Sequence, residues 1–139
     1  MTREDGYTLT EMLVVIGIIG LIAAVLTPTL FGQLGRARHK AAGLQLERVG
    51  AQVEMFMADT GRYPTGEEGL SALVTEPKGV DGWTGPYLRD DRDLTDPWGR
   101  PLRYEINKAD LFVVSTLGAD GKPGGTGVDR DLRRPVRLP

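Results

Sequence analysis

The chain has 139 residues, 17 Lys and Arg against 19 Asp and Glu, and a formal net charge of −2. That length suits one modest domain, and the near-neutral balance argues against a dedicated nucleic-acid binder, which carries a basic excess. No cysteine is present, which excludes a disulfide scaffold, a thiolate zinc site and a cysteine nucleophile. The single histidine, His39, leaves little for a His-based metal site or a Ser-His-Asp triad.

In chain order, the first element is apolar. Met12 to Leu26 reads MLVVIGIIGLIAAVL, and no charge follows until Arg36. A spanning helix needs about 20 mainly apolar residues, so this stretch predicts one, loosened near Pro28. A cleaved secretory signal is the weaker reading. Met1 to Gly6 holds Arg3 but also Glu4 and Asp5, Glu11 stands where the apolar region begins, and Ala23-Ala24 is no persuasive cut site. Glu11 is the most informative residue, since a carboxylate at mid-helix costs about 2.5–3.5 kcal/mol on insertion scales. It needs a partner, or it lies near enough to one end to snorkel to the headgroups. Periodicity alone slightly favours the second.

Beyond Gly35, Ala42, Leu46, Val49, Val53 and Phe56 recur at helical spacing. This predicts an amphipathic helix continuing the apolar one and packed against a domain. Gly43 and Gly50 weaken it, and Asp59-Thr60-Gly61 ends it, with Gly61 as a C-terminal cap. His39 reads as a solvated helix residue. Thr65 and Glu68 form a capping box for a short helix that turns Leu70, Leu73 and Val74 inward and stops at Pro77. Lys78 to Trp83 is a loop. Asp96-Pro97-Trp98-Gly99 marks a turn. Leu102, Tyr104 and Ile106 then alternate as a half-buried strand, and Leu111 to Ser115 pairs with it through an Asn107–Asp110 hairpin.

Gly118, Gly121, Gly124, Gly125 and Gly127 crowd one loop, with Asp120, Asp129 and Asp131 around them. Calcium takes oxygen ligands from carboxylates and carbonyls, but no EF-hand spacing is present. The residues alone favour a solvated Gly/Asp turn. Arg133, Arg134 and Arg137, with Pro135 and Pro139, read as a solvated, extended basic tail.

Gly6-Tyr7-Thr8-Leu9-Thr10-Glu11, followed by Met12-Leu13-Val14-Val15, resembles the type IV pilin-like N-terminus. The resemblance implies a hydrophilic leader, residues 1–6, cut by a prepilin peptidase between Gly6 and Tyr7. Tyr7, in place of the usual Phe, would then be N-methylated. Glu11 matches the family's glutamate, which would pair with the Tyr7 amine of a neighbouring subunit inside an apolar bundle. Further along stand Arg62-Tyr63-Pro64-Thr65 with Glu68-Gly69-Leu70, then Asp96-Pro97-Trp98-Gly99, then Leu117-Gly118-Ala119-Asp120-Gly121. These blocks are similar to the major pseudopilins of the type II secretion system, the general secretion pathway protein G family, over nearly the whole chain.

That resemblance implies an α+β, pilin-like fold: a long N-terminal helix packed on a small antiparallel sheet with a calcium-binding loop. Residues 7–30 would be the transmembrane and assembly helix, and residues 31–139 the periplasmic domain. One structural calcium is implied, on the side chains of Asp120, Asp129 and Asp131, with Leu117 by its carbonyl and Thr126 by carbonyl or hydroxyl. The implied role is a non-enzymatic subunit of a periplasmic pseudopilus that drives secretion across the outer membrane. Its implied partners are further copies in a helical homopolymer, minor pseudopilins, the inner-membrane assembly platform, a cytoplasmic ATPase and the prepilin peptidase. The implied location is the bacterial inner membrane, single-pass, with the C-terminal domain in the periplasm. Charge alone opposes that orientation, because Arg3 faces Arg36, Arg38 and Lys40 across the apolar stretch; the specific motif takes precedence. The alternatives are a type IV or competence pilin-like subunit and a signal-anchored calcium-binding module. A membrane-anchored enzyme lacks a nucleophile-base pair, since His39 adjoins the membrane segment and Asp96 a proline turn.

Overall fold

The computed structural model describes residues 6–106 and 112–135. Met1–Asp5 of the expected leader, the expected Asn107–Asp110 hairpin turn, Leu111, Arg137 and Pro139 lie outside the described residues. One helix, α1 (Leu9–Thr60), runs through Pro28 without interruption. By its contacts the chain divides into two units, residues 1–35 and residues 36–139.

In the first unit α1 is long and apolar enough to cross a membrane, alone in this among the described residues. Its apolar side chains are uncovered: Leu13, Ile16, Leu21 and Val25 are all more than half exposed. For apolar groups in water that is unfavourable by roughly 25 cal/mol per Å². A lipid phase or neighbouring helices remove that cost.

In the second unit α1 turns Ala42, Leu46, Val49, Val53 and Phe56 inward, and all five are buried. The predicted stripe is therefore the helix's contribution to the core. The sheet opposite has three antiparallel strands in the order β1 (Arg103–Ile106), β2 (Phe112–Thr116), β3 (Leu132–Pro135). Tyr104 faces Val114 across β1 and β2, and Leu132 faces Thr116 across β2 and β3. β2 is the central strand, and Phe112, Val114 and Thr116 are its buried face. Phe112 packs against Tyr63 at 5.1 Å and Tyr104 at 6.2 Å between ring centroids. Burial pushes the Tyr104 phenol up to about 12, and its hydroxyl donates to the Pro64 carbonyl at 2.8 Å. The alternation of β1 fades at Ile106, which is exposed.

Between helix and sheet the chain is held by local hydrogen-bond devices. Thr65 and Glu68 form the expected box: the Thr65 N–H donates to Glu68 Oε2 at 2.8 Å and the Glu68 N–H to Thr65 Oγ1 at 3.2 Å. The box opens a 3₁₀ turn, Gly69–Leu73, that buries Leu70, Ala72 and Leu73. Arg62 grips the same carboxylate through two 2.7 Å bonds, which hold Glu68 down at about 2. Asp59, near the end of α1, accepts from the Thr84 hydroxyl at 2.5 Å and the Tyr87 hydroxyl at 2.9 Å. These hydroxyls hold its carboxyl below the usual range. A second 3₁₀ turn, Asp91–Leu94, lies where no element was expected. Gln45 Nε2 ties it to α1, donating to the Asp93 and Thr95 carbonyls at 2.8 Å each.

Two expectations are corrected. The basic segment at Leu132–Pro135 is not a solvated tail but the third strand. Arg134 folds back over α1, ion-paired with Glu47 at 3.3 Å and Glu54 at 3.8 Å and bonded to the Glu47 carbonyl. Gly50 makes that possible: a Cβ there would stand 2.6 Å from Arg134 Cδ. The glycine read as a weak point of the helix is thus the notch for an arginine. His39, read as solvated, is half-buried, and its Nδ1–H donates to the Val128 carbonyl at 3.1 Å.

Candidate functional site

Two places gather the residues singled out in the sequence. The first is the start of α1. Thr8 stands just before the helix, and its N–H and hydroxyl both donate to Glu11 Oε2 at 2.8 Å. The Glu11 N–H returns a 3.2 Å bond to Thr8 Oγ1. This is a capping box, in which two orphan donors of the helix end are satisfied reciprocally. It also places a carboxylate where the helix dipole favours negative charge. Within a single chain, then, Glu11 has an internal partner. The Thr8-x-x-Glu11 spacing carried this signal, but the charge of Glu11 drew attention to a partner outside the chain.

The second place is the glycine-aspartate loop, between β2 and β3. Its backbone crosses itself closely. The Asp129 carbonyl lies so near Gly118 and Gly125 that a Cβ on either would stand 2.5 Å from it. Both glycines also have positive φ, +69° and +80°, which L side chains rarely adopt. Cross-bonds fix the loop: Ala119 N–H to the Val128 carbonyl at 3.0 Å, Asp129 N–H to the Thr126 carbonyl at 3.1 Å, and Asp131 N–H to the Gly124 carbonyl at 3.1 Å. Gly127–Asp129 forms a 3₁₀ turn.

The five expected calcium ligands share this loop but differ in what they do. Asp120 is exposed, and its Oδ1 accepts from the Lys122 N–H at 3.0 Å. Asp131 is nearly enclosed; its Oδ2 accepts from the Gly124 N–H at 3.0 Å and lies 3.7 Å from Arg133 Nη2. Asp131 Oδ1 is buried with no hydrogen-bond partner. A buried carboxylate oxygen without a donor is costly, and a cation beside it would remove that cost. The Thr126 carbonyl already accepts one bond and keeps a second lone pair. Among the described residues, no three histidine or acidic side chains converge as a metal site. The donor set fits calcium by its chemistry, hard oxygens on a glycine-rich backbone, and by the orphaned oxygen of Asp131.

Residues not foreseen hold the loop in place. Asp96, buried under the Asp-Pro-Trp-Gly turn, accepts from the Thr116 hydroxyl at 2.6 Å and from the N–H groups of Trp98 at 3.0 Å and Arg100 at 2.9 Å. The Gly99 N–H closes the turn on the Asp96 carbonyl at 2.9 Å. Arg100 Nε lies 3.4 Å from Asp96 Oδ2, near enough for an ion pair though not aligned as a hydrogen bond. The same guanidinium donates to the Gly118 carbonyl and lies 5.5 Å from the Trp98 ring. Trp98 in turn meets His39 edge-on at 6.5 Å. The Asp96–Arg100 spacing of four, across a Pro and a Gly, was the readable signal for this clamp.

Comparison with known proteins identifies the family. A family profile described as type II secretion system (T2SS), protein G matches residues 29–135. One described as the prokaryotic N-terminal methylation motif matches residues 1–27. The type II secretion system core protein G of Xanthomonas campestris pv. campestris is 34% identical over 131 residues, 94% of this chain and 89% of that protein. That of Vibrio cholerae is 34% identical over 137 residues, 95% of this chain and 92% of that protein. Among solved structures, the major pseudopilin from the type 2 secretion system of enterohaemorrhagic Escherichia coli superposes with a TM-score of 0.55 at 28% identity, over 76% of this chain and 93% of that one. With an exposed apolar helix bearing a capped glutamate, a three-stranded sheet and these relatives, the chain belongs to the type II secretion system protein G family.

Proposed function

We propose that the chain is a structural, non-catalytic subunit of the type II secretion pseudopilus, polymerising through its N-terminal helix to move proteins across the outer membrane. One observation carries the assembly route: the apolar side chains of α1 in residues 9–34 are exposed along the helix. In the proposed cycle a prepilin peptidase cuts between Gly6 and Tyr7, and the new Tyr7 amine is methylated. The helix waits in the inner membrane with the C-terminal domain in the periplasm. On assembly, Glu11 exchanges its bonds to Thr8 for the Tyr7 amine of a neighbouring copy, which favours one axial register because an unpaired carboxylate among apolar helices is expensive. Minor pseudopilins, the assembly platform and a cytoplasmic ATPase are the partners this role requires.

Calcium is the proposed structural ion of the glycine-aspartate loop, held by Asp120, Asp129 and Asp131 with the Leu117 carbonyl and the Thr126 carbonyl or hydroxyl. When bound it supplies charge neutralisation to a loop with few strand hydrogen bonds. Asp131 positions the loop by accepting from Gly124, and Arg100 holds Gly118.

N-terminal sequencing and intact mass of the membrane-extracted protein test the processing. A chain starting at methylated Tyr7 is expected; a start near Thr27 would indicate a cleaved secretory signal and defeat the assembly reading. For calcium, chelation is expected to lower the melting temperature, and Asp120→Ala or Asp131→Asn to abolish that response. An unchanged response would discredit the assigned loop.

A further inference from the structure

The second unit holds an open groove of about 500 Å³ between α1 and the segment from Gly127 to Leu132. Its rim carries three cations, Arg36, Lys40 and Arg130, and its floor is Leu44, Val128 and Leu132. Among the described residues no acidic side chain lines it. The floor is mostly apolar, and Leu44 is 64% exposed. The far wall is built, because His39 bonds the Val128 carbonyl and Leu132 is paired to Thr116 in the sheet.

Its place along the chain is specific. Arg36 is the first charged residue after the uncharged stretch that begins at Met12, and Lys40 follows about one helical turn later. If that stretch fills the hydrocarbon layer, these cations stand at the depth of lipid phosphates. A cationic rim over an apolar floor matches a molecule that is anionic at one end and hydrocarbon at the other. A soluble anion would satisfy the rim and leave the floor in water. Arg guanidinium and Lys ammonium suit a phosphodiester, and the floor suits the first methylenes of an acyl chain.

We propose that this groove holds the headgroup and proximal acyl segment of an anionic phospholipid while the subunit waits in the membrane. The inference rests on the membrane-spanning reading of the first unit. It also accounts for the cations beyond the apolar stretch, which by charge alone oppose a periplasmic C-terminal domain: at least two of them, Arg36 and Lys40, line a folded lipid site and do not act as a topology signal.

Native mass spectrometry of the full chain, purified in detergent and offered equal phosphatidylglycerol and phosphatidylcholine, tests this. Preferential retention of phosphatidylglycerol is expected. Lys40→Ala and Arg130→Ala should each lower that preference about fivefold, as expected for one basic group near an anionic lipid. Arg38→Ala removes a cation at nearly the same place on α1 but outside the groove, and should leave the preference intact. Retention without preference overturns the inference alone, and retention of neither lipid overturns the membrane reading with it. An equal loss with Arg38→Ala would mean diffuse interfacial charge, and competition by glycerol phosphate as strong as by the whole lipid would mean a simple anion site. Loss of self-association with unchanged lipid retention in Lys40→Ala would assign the groove to a second copy. Each of these three results also overturns it.

Discussion

Asp96 offers the sharpest test of how the loop is held. Its side chain is 1% exposed, and the carboxylate accepts from one hydroxyl and two backbone N–H groups while facing Arg100. Asp96→Ala strands the buried Thr116 hydroxyl and leaves the half-enclosed guanidinium without its anion. Removing one partner of a buried charged network costs about 3–5 kcal/mol, and Arg100 is a third exposed, which argues for the lower end, about 3 kcal/mol. For a domain of this size that is a fall in melting temperature of roughly 12–20 °C. Asp96→Asn keeps an acceptor for the two N–H groups and loses the charge, so roughly half the effect is expected. Thermal unfolding of the full chain in detergent, followed by near-UV circular dichroism of the tryptophans, reads both. A local readout separates a clamp from a generic core residue. With Asp96 gone Arg100 no longer steadies Gly118, so the Ala119 N–H, bonded to Val128 across the loop, should exchange faster relative to amides of α1. If both variants melt within a degree or two of the parent, or if Ala119 exchange is unchanged, the clamp does not exist.

Three more outcomes are expected from contacts elsewhere. Glu68 is held at about 2 against an ordinary 4.5, chiefly by Arg62, so its contribution is full above pH 4.5 and is lost as pH falls towards 2. Glu68→Gln should cost about 1–2 kcal/mol at pH 7, a bidentate pair discounted for solvent screening, and should flatten acid unfolding between pH 4.5 and 2. Gly50→Ala should stabilise by about 1 kcal/mol in an Arg134→Ala background, by helix propensity, and clearly less where Arg134 must first move; equal effects in a double-mutant cycle would remove the notch. Thr8→Val, which breaks the capping box, should cost about 1 kcal/mol of helix-end stability, seen as faster exchange of the first-turn amides in detergent, and identical exchange would exclude the box.

What was legible in the sequence was local. The stripe from Ala42 to Phe56 is legible because a helix repeats every 3.6 residues, and the alternation of Leu102 and Tyr104 leading into β1 because a strand repeats every two. The Thr65-Glu68 box and the Asp-Pro-Trp-Gly turn are legible because their bonds close within four residues. β3 was not, because Leu-Arg-Arg-Pro carries no alternating apolar pattern. Its Arg134 is anchored on Glu47, 87 residues earlier, in a notch that only Gly50 provides. His39 likewise takes its role from a carbonyl 89 residues away. The loop's aspartates are legible as a cluster, but not how differently the fold places them. That depends on which buried carboxylate oxygen the folded backbone leaves without a hydrogen-bond partner, and among the described residues Asp131 Oδ1 is in that state.

The sheet's edges bear on how such a chain polymerises without aggregating. An open edge strand invites another strand, and charges or proline along it discourage the pairing. β1 exposes Arg103 and Glu105, while β3 exposes Arg133 and ends at Pro135, which has no N–H to offer. Both flanks of the three-stranded sheet are thereby guarded against amyloid-like extension. Copies crowded together are then discouraged from strand-to-strand pairing, which leaves the exposed apolar helix as the surface that gains from burial.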